Sequence, residues 1–253
     1  MVEWAKNDYI TDEQIELLYH TQEIVYSSVS DIIQDSDNIL LIGGTTLSRC
    51  YLNHRISFDL DFAVRPNLHE IEKFHPEIEK LKFVSVEKYN FSEDVYHTAF
   101  YSASLNGIKV EFSFIEDRKY DVFSSETRQM GDIYIKCADL DTLYMNKIRA
   151  VMGDFIGGHR CKFRDFFDIF VLSKKYKPIN DFIDELKRTK FFFNEHYLFD
   201  AMANFDWYSV KDDLIVPTKE WQNIVFSDNV CDIFYDEMGF LPPQEDYWNI
   251  PTP

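Results

Sequence analysis

The sequence predicts an α+β protein, with a mixed or antiparallel sheet followed by an all-helical part. Up to residue 138, short runs in which apolar and polar residues alternate are typical of strands. Asn106-Gly107, between two of these runs, is a strong signal for a hairpin turn. From Asp139 onward, apolar residues recur at helical spacing instead. We therefore predict an α+β domain at residues 1–138 and a helical domain at residues 139–253.

The first domain opens with a predicted helix, because Thr11 is a suitable N-cap and Gln14 follows three residues later. A buried strand then ends at Gly43-Gly44, and a short basic helix leads into the next strand. Helices are predicted at residues 11–35, 45–53 and 66–80, and strands at residues 38–42, 57–64, 82–90, 96–105, 108–115 and 132–136. Residues 116–130 are polar, and we predict that they form a loop.

The second domain is predicted to contain helices at residues 139–153, 162–175, 179–188 and 194–204. An irregular aromatic tail follows them. Residues after 178 contain no functional motif, so the predicted site depends on the chain before that point.

The charge of the chain restricts its partners. The 253 residues carry a formal net charge of −18, which repels nucleic acids and anionic membranes unless basic residues are segregated. From Lys147 to Lys190 there are 11 Lys or Arg and 6 Asp or Glu, a local charge of +5. This segment favours contact with RNA, although ordinary charge variation over a helical surface explains it equally well.

The cysteines and the apolar runs indicate a cytoplasmic protein. No C-x-x-C pair occurs among the four cysteines, which argues against a cysteine-ligated zinc site and a disulfide framework. Isolated cysteines suit a reducing compartment. The N-terminus lacks a basic segment followed by an apolar run, and the longest apolar runs are too short to span a bilayer.

Two acidic residues, Asp59 and Asp61, lie two positions apart in a predicted strand. They therefore point to the same face, where their charges repel each other unless a cation lies between them. Glu111 lies on the polar side of a second predicted strand. If these strands are neighbours, the three carboxylates form a cluster suited to Mg²⁺ or Mn²⁺. The alternatives are solvated strand acids and, for Glu111, an ion pair with a lysine such as Lys109.

A glycine turn precedes these acids. Gly43-Gly44 lies between a buried strand and a helix, where glycine allows close approach of a ligand to the backbone. The first turn of the helix adds the hydroxyls of Thr45 and Thr46, and Arg49 follows one turn later. This arrangement favours phosphate binding, although a tight strand-to-helix turn needs glycine just as much.

The segment from Gly43 to Phe62 resembles the core of the AbiEii/AbiGii toxin family, which belongs to the DNA polymerase β-like nucleotidyltransferase superfamily. The resemblance rests on Gly43-Gly44-Thr45, Leu47 and the run His54-Arg55-x-Ser57-x-Asp59-Leu60-Asp61-Phe62. It implies a nucleotidyltransferase core in which Asp59 and Asp61 bind metal and Ser57 and Thr45 contact phosphate. Glu111 matches the third carboxylate position, where the family more usually has aspartate.

Two segments of the helical part extend the resemblance. Lys147 lies on an otherwise apolar helical stripe, where its ammonium needs a partner or must reach water. In the family, a lysine here binds nucleotide phosphates and an aspartate on the next helix completes the site. Asp165 is the predicted functional aspartate, because Arg164 lies four residues before Asp168 and a local ion pair explains that second acid.

The resemblance implies a magnesium-dependent enzyme that transfers a nucleotide from an NTP to an RNA, such as the 3′ end of a tRNA, or to a protein hydroxyl. It further implies the toxin of a toxin–antitoxin or phage-defence system, with a possible cognate antitoxin. Two other functions stay open: an inactive module that binds nucleotide or antitoxin, and a nucleotidyltransferase that acts on a small molecule.

Overall fold

The computed structural model describes residues 10–34, 36–91, 97–153, 162–189, 195–207 and 215–238. Contacts within the chain divide it into two compact units, Met1–Leu143 and Tyr144–Pro253. A compact unit need not fold independently, so the predicted domains at residues 1–138 and 139–253 stay a prediction.

In the described part of the first unit, the strands form one mixed seven-stranded sheet, in the order β3-β4-β5-β2-β1-β7-β6. Strands β1 and β7 are parallel, as are β2 and β5, whereas the other neighbouring strands are antiparallel. The strands are β1 (Ile39–Ile42), β2 (Leu60–Val64), β3 (Val84–Asn90), β4 (Thr98–Leu105), β5 (Ile108–Glu116), β6 (Ser125–Met130) and β7 (Ile133–Ala138). This mixed sheet confirms the predicted α+β class.

Helical segments precede and interrupt the strands. They are α1 (Asp12–Ile33), α2 (Gly43–Thr46), a π-helical segment Leu47–Leu52, α3 (Glu70–Ile78) and a short 3₁₀ turn Tyr120–Val122. The predicted cap of α1 is confirmed: Thr11 and Gln14 exchange two hydrogen bonds, which satisfy backbone donors at the helix start.

Aromatic rings form the core on one face of this sheet. Phe62 of β2 stacks on Phe114 of β5, with ring centroids 4.6 Å apart. Tyr26 of α1 and Phe74 of α3 pack against these two rings at 6.1 and 4.7 Å. Burial of such large apolar side chains fixes β2 and β5 against the helices, and these strands carry the predicted carboxylates.

The prediction of a loop at residues 116–130 is wrong, because β6 occupies Ser125–Met130. This strand lies at the edge of the sheet and pairs only with β7 among the described strands. Its side chains are mostly polar and partly or fully exposed, and Met130 alone is buried. An edge strand needs no continuous apolar face, so the pattern used to predict strands was missing.

Among the residues of the second unit that the structure describes, the regular elements are helices, apart from an isolated bridge at residues 217 and 218. Helix α4 (Leu140–Met152) begins before the division, and α5 (Phe163–Lys175), α6 (Ile179–Arg188), α7 (Glu195–Ala203), α8 (Lys219–Val225) and α9 (Val230–Met238) follow. Phe170 of α5 stacks on Phe234 of α9 at 4.5 Å. Within the described ranges, no helix has the length and apolarity needed to cross a membrane.

Candidate active site

The two predicted catalytic acids lie at the start of β2. Asp61 is inside the strand, opposite Ile42 of β1 on one side and Ser113 of β5 on the other. Asp59 immediately precedes the strand, which begins at Leu60 rather than at the predicted residue 57. Both acids are half-buried, whereas Leu60 is fully buried. The acids therefore alternate with core residues, as expected for side chains that share the polar face.

Asp61 is held by a neighbour that the sequence reasoning did not single out. The Ser113 hydroxyl donates a hydrogen bond of 2.9 Å to Asp61 Oδ1. Ser113 follows Glu111 on the polar face of β5, so the alternation of that strand could have identified it. A hydrogen bond to a carboxylate favours its ionised form and fixes its rotamer. Asp61 is thus oriented before any ligand binds.

The glycine turn packs directly against the acids. Gly43 has φ +83°, and a Cβ there would lie 2.5 Å from Asp61 Oδ2. A Cβ on Gly44 would lie 2.5 Å from Arg55 Nη2 and 2.7 Å from Ser57 Oγ. Both glycines are therefore required by side chains of the candidate site, and Gly43 also by its left-handed backbone conformation.

The predicted phosphate-binding hydroxyls lie beside the same turn. The buried Thr45 hydroxyl donates to the carbonyl oxygen of Asp59. Ser57 is also buried, and its carbonyl oxygen accepts a hydrogen bond of 2.9 Å from Gln22 Nε2 of α1. These contacts fix the backbone on both sides of Asp59. Thr45 consequently orients Asp59, whatever its part in binding phosphate.

Arg49 lies against α1. Its guanidinium forms an ion pair with Glu23, and its Nη1 donates to the Tyr19 carbonyl oxygen and to Gln22 Oε1, both at 3.1 Å. The guanidinium also lies 4.3 Å from the centroid of the Tyr19 ring. Burial raises the pKa of Tyr19 to about 12, so its hydroxyl stays protonated near neutral pH. These contacts favour a structural role for Arg49 over the predicted contact with nucleotide.

Glu111 is the most exposed of the predicted metal ligands. Its carboxylate pairs with Lys109 at 3.1 Å, and 70% of its side chain is exposed. Among the described residues, Asp59, Asp61 and Glu111 do not form a group whose ligand atoms all lie within 4.8 Å of one another. The strands that carry them are neighbours, as expected. The complete three-carboxylate cluster stays a prediction.

In the second unit, Lys147 of α4 binds two aspartates of α5. Its ammonium lies 2.7 Å from Asp165 Oδ1 and 2.8 Å from Asp168 Oδ2. The side chains are 12%, 6% and 0% exposed, respectively. The lysine is therefore held by buried acids instead of extending to water. Asp168, predicted to be structural, contacts the same ammonium as Asp165, so the lysine does not distinguish between them.

Comparison with known proteins identifies the class of enzyme. Residues 31–225 match the family described as "Nucleotidyl transferase AbiEii toxin, Type IV TA system". This match covers most of the chain, which therefore belongs to the AbiEii family and is an enzyme of the nucleotidyl transferase class, as predicted. The description of this family assigns the family to toxin–antitoxin systems.

Two solved structures are similar to this chain at low sequence identity. JHP933 from Helicobacter pylori is 18% identical, with a TM-score of 0.45, over 88% of this chain and 94% of that protein. An antigenic nucleotidyltransferase-like protein from Paracoccidioides brasiliensis is 13% identical, with a TM-score of 0.43, over 71% of this chain and 90% of its own. No curated protein has a sequence significantly similar to this one.

Proposed function

We propose that this protein is a magnesium-dependent toxin that transfers a nucleotide from an NTP to a hydroxyl of RNA, such as a tRNA 3′ end, or of protein. The observation that carries the proposal is the contact of the Gly43 turn with Asp61, beside Asp59, in a chain of the AbiEii family. A turn made for backbone approach and a pair of acids on one face are the two parts that nucleotide and metal binding require.

The donor chemistry at this turn fits Mg²⁺. Asp59 and Asp61 offer carboxylate oxygens, the ligands that magnesium prefers together with water and substrate phosphates. When bound, the ion supplies charge neutralisation at the phosphates and lowers the pKa of the attacking hydroxyl. Mn²⁺ is an alternative with the same oxygen ligands. Asp59 and Asp61 are the proposed ligands, with Glu111 as the third.

The chain's own groups would position the nucleotide. Gly43 and Gly44 provide a backbone that a phosphate can approach, and Ser57 and Thr45 lie beside them. Lys147 is proposed to stabilise negative charge on the phosphates, and Asp165 to orient its ammonium. In-line transfer depends mainly on such positioning and charge neutralisation. Arg49 is not among the proposed nucleotide-binding residues, because its guanidinium already forms an ion pair with α1.

Charge pairing in the second unit bears on the acceptor. The basic segment at residues 147–190 favoured RNA as the acceptor. Several of its lysines, however, form ion pairs, and in two of these pairs the acid lies outside the segment. Lys174 pairs with Glu237, and Lys175 with Glu220. Such pairs weaken the attraction of this surface for phosphates. RNA and protein are therefore both candidate acceptors, and the label-transfer experiment described next distinguishes them.

The test is label transfer. The protein is incubated with each α-labelled NTP and Mg²⁺, together with a tRNA pool or with a cell-protein extract. We expect label to enter one acceptor class, and the Asp59→Asn/Asp61→Asn variant to lose at least about a hundredfold in rate, as expected for removal of groups that stabilise transition-state charge. The asparagines keep the size of the side chains while removing both charges.

Two outcomes contradict the proposal. Transfer at the same rate in the double variant rules out catalysis by these acids. Binding of NTP without transfer to either acceptor supports the inactive nucleotide-binding module instead. Equal thermal stability of the variant and the original protein is the required control. Toxicity in cells, reversed by the same double substitution, tests the toxin assignment separately.

A further inference from the structure

A second cluster of metal-binding side chains lies elsewhere in the first unit. His69, Glu72 and His97 each offer a ligand atom, and these atoms all lie within 4.8 Å of one another. His69 Nδ1 is 3.0 Å from Glu72 Oε2, and His97 Nδ1 is 3.6 Å from Glu72 Oε1. Ligand atoms bound about 2.1 Å from a tetrahedral ion are about 3.4 Å apart, so these separations are close to those around one shared ion.

Two buried polar atoms at this cluster are available to bind a ligand. His97 Nδ1 and Glu116 Oε1 are both buried without a hydrogen-bond partner, 3.8 Å from each other. The other Glu116 oxygen accepts a hydrogen bond of 3.2 Å from the His97 backbone N–H. His97 and Glu116 are only 5% and 3% exposed, so unused polar atoms are costly here unless a ligand satisfies them.

We propose that His69, Glu72 and His97 bind a divalent transition-metal ion, Zn²⁺ by preference, with Glu116 beside the open fourth position. Two imidazoles and carboxylates are typical ligands of zinc, whereas Mg²⁺ takes oxygen ligands. Two neutral histidines and two ionised glutamates balance a charge of +2. The cysteine spacing argued against a cysteine-ligated zinc site, and this site uses no cysteine.

The ion would join segments that are distant in sequence. His69 precedes α3, Glu72 lies in its first turn, His97 precedes β4 and Glu116 ends β5. His69 adopts a left-handed backbone conformation, φ 52°, which is uncommon for residues other than glycine. Binding would hold the start of α3 against the ends of β4 and β5, so the ion acts as a structural cross-link.

This site is separate from the candidate active site. Glu116 lies opposite Val64 at the end of β2, whereas Asp61 lies three residues earlier in that strand. Three residues of strand span about 10 Å, too far for one ion to contact both places. The inference therefore does not rest on nucleotidyl transfer, and it is tested by metal binding alone.

The experiment titrates Co²⁺, a coloured substitute for zinc, into chelator-treated protein carrying Asp59→Asn/Asp61→Asn. This background removes the acids proposed to bind catalytic metal. We expect one equivalent of Co²⁺ with the visible absorption of a four-coordinate ion, displaced by Zn²⁺. His69→Asn and Glu72→Gln should each weaken binding at least about tenfold. Asparagine at position 69 keeps a residue that tolerates the left-handed conformation.

His20→Asn is the matched control, because His20 is an exposed histidine of α1 outside the cluster. It should bind Co²⁺ as tightly as the background protein. Circular dichroism without metal establishes that each variant is folded. No stoichiometric binding, or equal affinity in the His69→Asn, Glu72→Gln and His20→Asn variants, overturns the site and leaves ordinary histidine–glutamate pairing as the explanation.

Discussion

The ammonium of Lys147 lies between the carboxylates of Asp165 and Asp168, in surroundings that exclude most water. A buried ion pair often contributes little net stability, because removing charges from water is costly. Removal of one partner is different, since it leaves a buried charge without the partner that it had in the pair. This lysine therefore has a structural effect that is separable from any contact with nucleotide.

We predict that Lys147→Met lowers the free energy of unfolding by about 3–5 kcal/mol, the usual effect of breaking a buried pair. Urea denaturation measures the change. Lys174→Met is the matched control, because Lys174 pairs with Glu237 while its side chain is 48% exposed. Such a surface pair contributes up to about 1 kcal/mol. Equal losses in the two variants would contradict a buried, structural Lys147.

The sequence predicted which residues carry charge at the candidate sites, but not every partner. Alternation placed Asp59 and Asp61 on one face, and helical spacing placed Lys147 on a buried stripe. Ser113 was missed because a serine on a polar face has many alternative uses. The double contact of Lys147 with Asp165 and Asp168 depends on how α4 packs on α5, which is not encoded in the spacing of either helix alone.

At the scale of elements, Tyr51 connects the π-helical segment to the edge of the sheet. Its hydroxyl donates a hydrogen bond of 2.7 Å to Glu126 Oε1 of β6 and lies 2.9 Å from the Ala138 carbonyl oxygen. Burial raises the pKa of Tyr51, so this donor stays protonated. In turn, its hydrogen bond lowers the pKa of Glu126 below the ordinary value of 4.5.

We predict that the cost of Tyr51→Phe depends on pH. A carboxyl whose pKa is lower in the folded state contributes stability above its unfolded pKa, and this contribution is lost as pH falls through the folded pKa. The variant should therefore lose more stability at pH 7 than at the lowest pH at which both proteins stay folded. The pH-dependent part should be under about 1 kcal/mol, because Glu126 is partly exposed.

Urea unfolding at the two pH values measures this difference. Tyr134→Phe is a suitable control, since Tyr134 of β7 is 74% exposed. Its effect should not change with pH. A cost of Tyr51→Phe that is equal at both pH values would contradict the preference of this hydrogen bond for ionised Glu126.

Secondary-structure elements were predicted best where the apolar pattern repeats over many consecutive residues. Helices α5 and α6 were predicted to within one residue at each end, because their apolar faces recur through several turns. Strand β6 was missed, and β2 begins at Leu60 because the preceding residues are held by side-chain contacts rather than by ladder hydrogen bonds. Contacts of this kind join residues far apart in the chain, so periodicity cannot reveal them.

At the scale of the whole molecule, the class of the fold followed from the sequence but the strand order did not. Strand β1 lies between β2 and β7. Strand β2 follows β1 closely in the sequence, whereas β7 is far from β1 along the chain. The hairpin of β4 and β5 was predictable because Asn106-Gly107 joins adjacent strands. Because β2 and β5 are parallel, a long crossover must connect them, and no local signal in the sequence specifies that these two strands pair.

The net charge of −18 is a property of the entire chain, and it has a thermodynamic consequence. Mutual repulsion among acidic groups destabilises a compact state, and salt screens that repulsion over a distance of about 10 Å at 0.1 M. Near the sequence pI of about 4.7 the net charge vanishes, so the repulsion should vanish with it. Surface ion pairs act in the opposite direction, since salt weakens them.

We predict that repulsion outweighs the surface pairs at pH 8. Raising NaCl from about 20 to about 200 mM should increase Tm by about 2–4 °C, equivalent to about 1 kcal/mol for a protein of this size. The same change near pH 4.7 should produce no increase. Scanning calorimetry with EDTA in every sample measures this without interference from bound divalent metal. A lower Tm at high salt and pH 8 would mean that the surface ion pairs contribute more to stability than the excess negative charge removes.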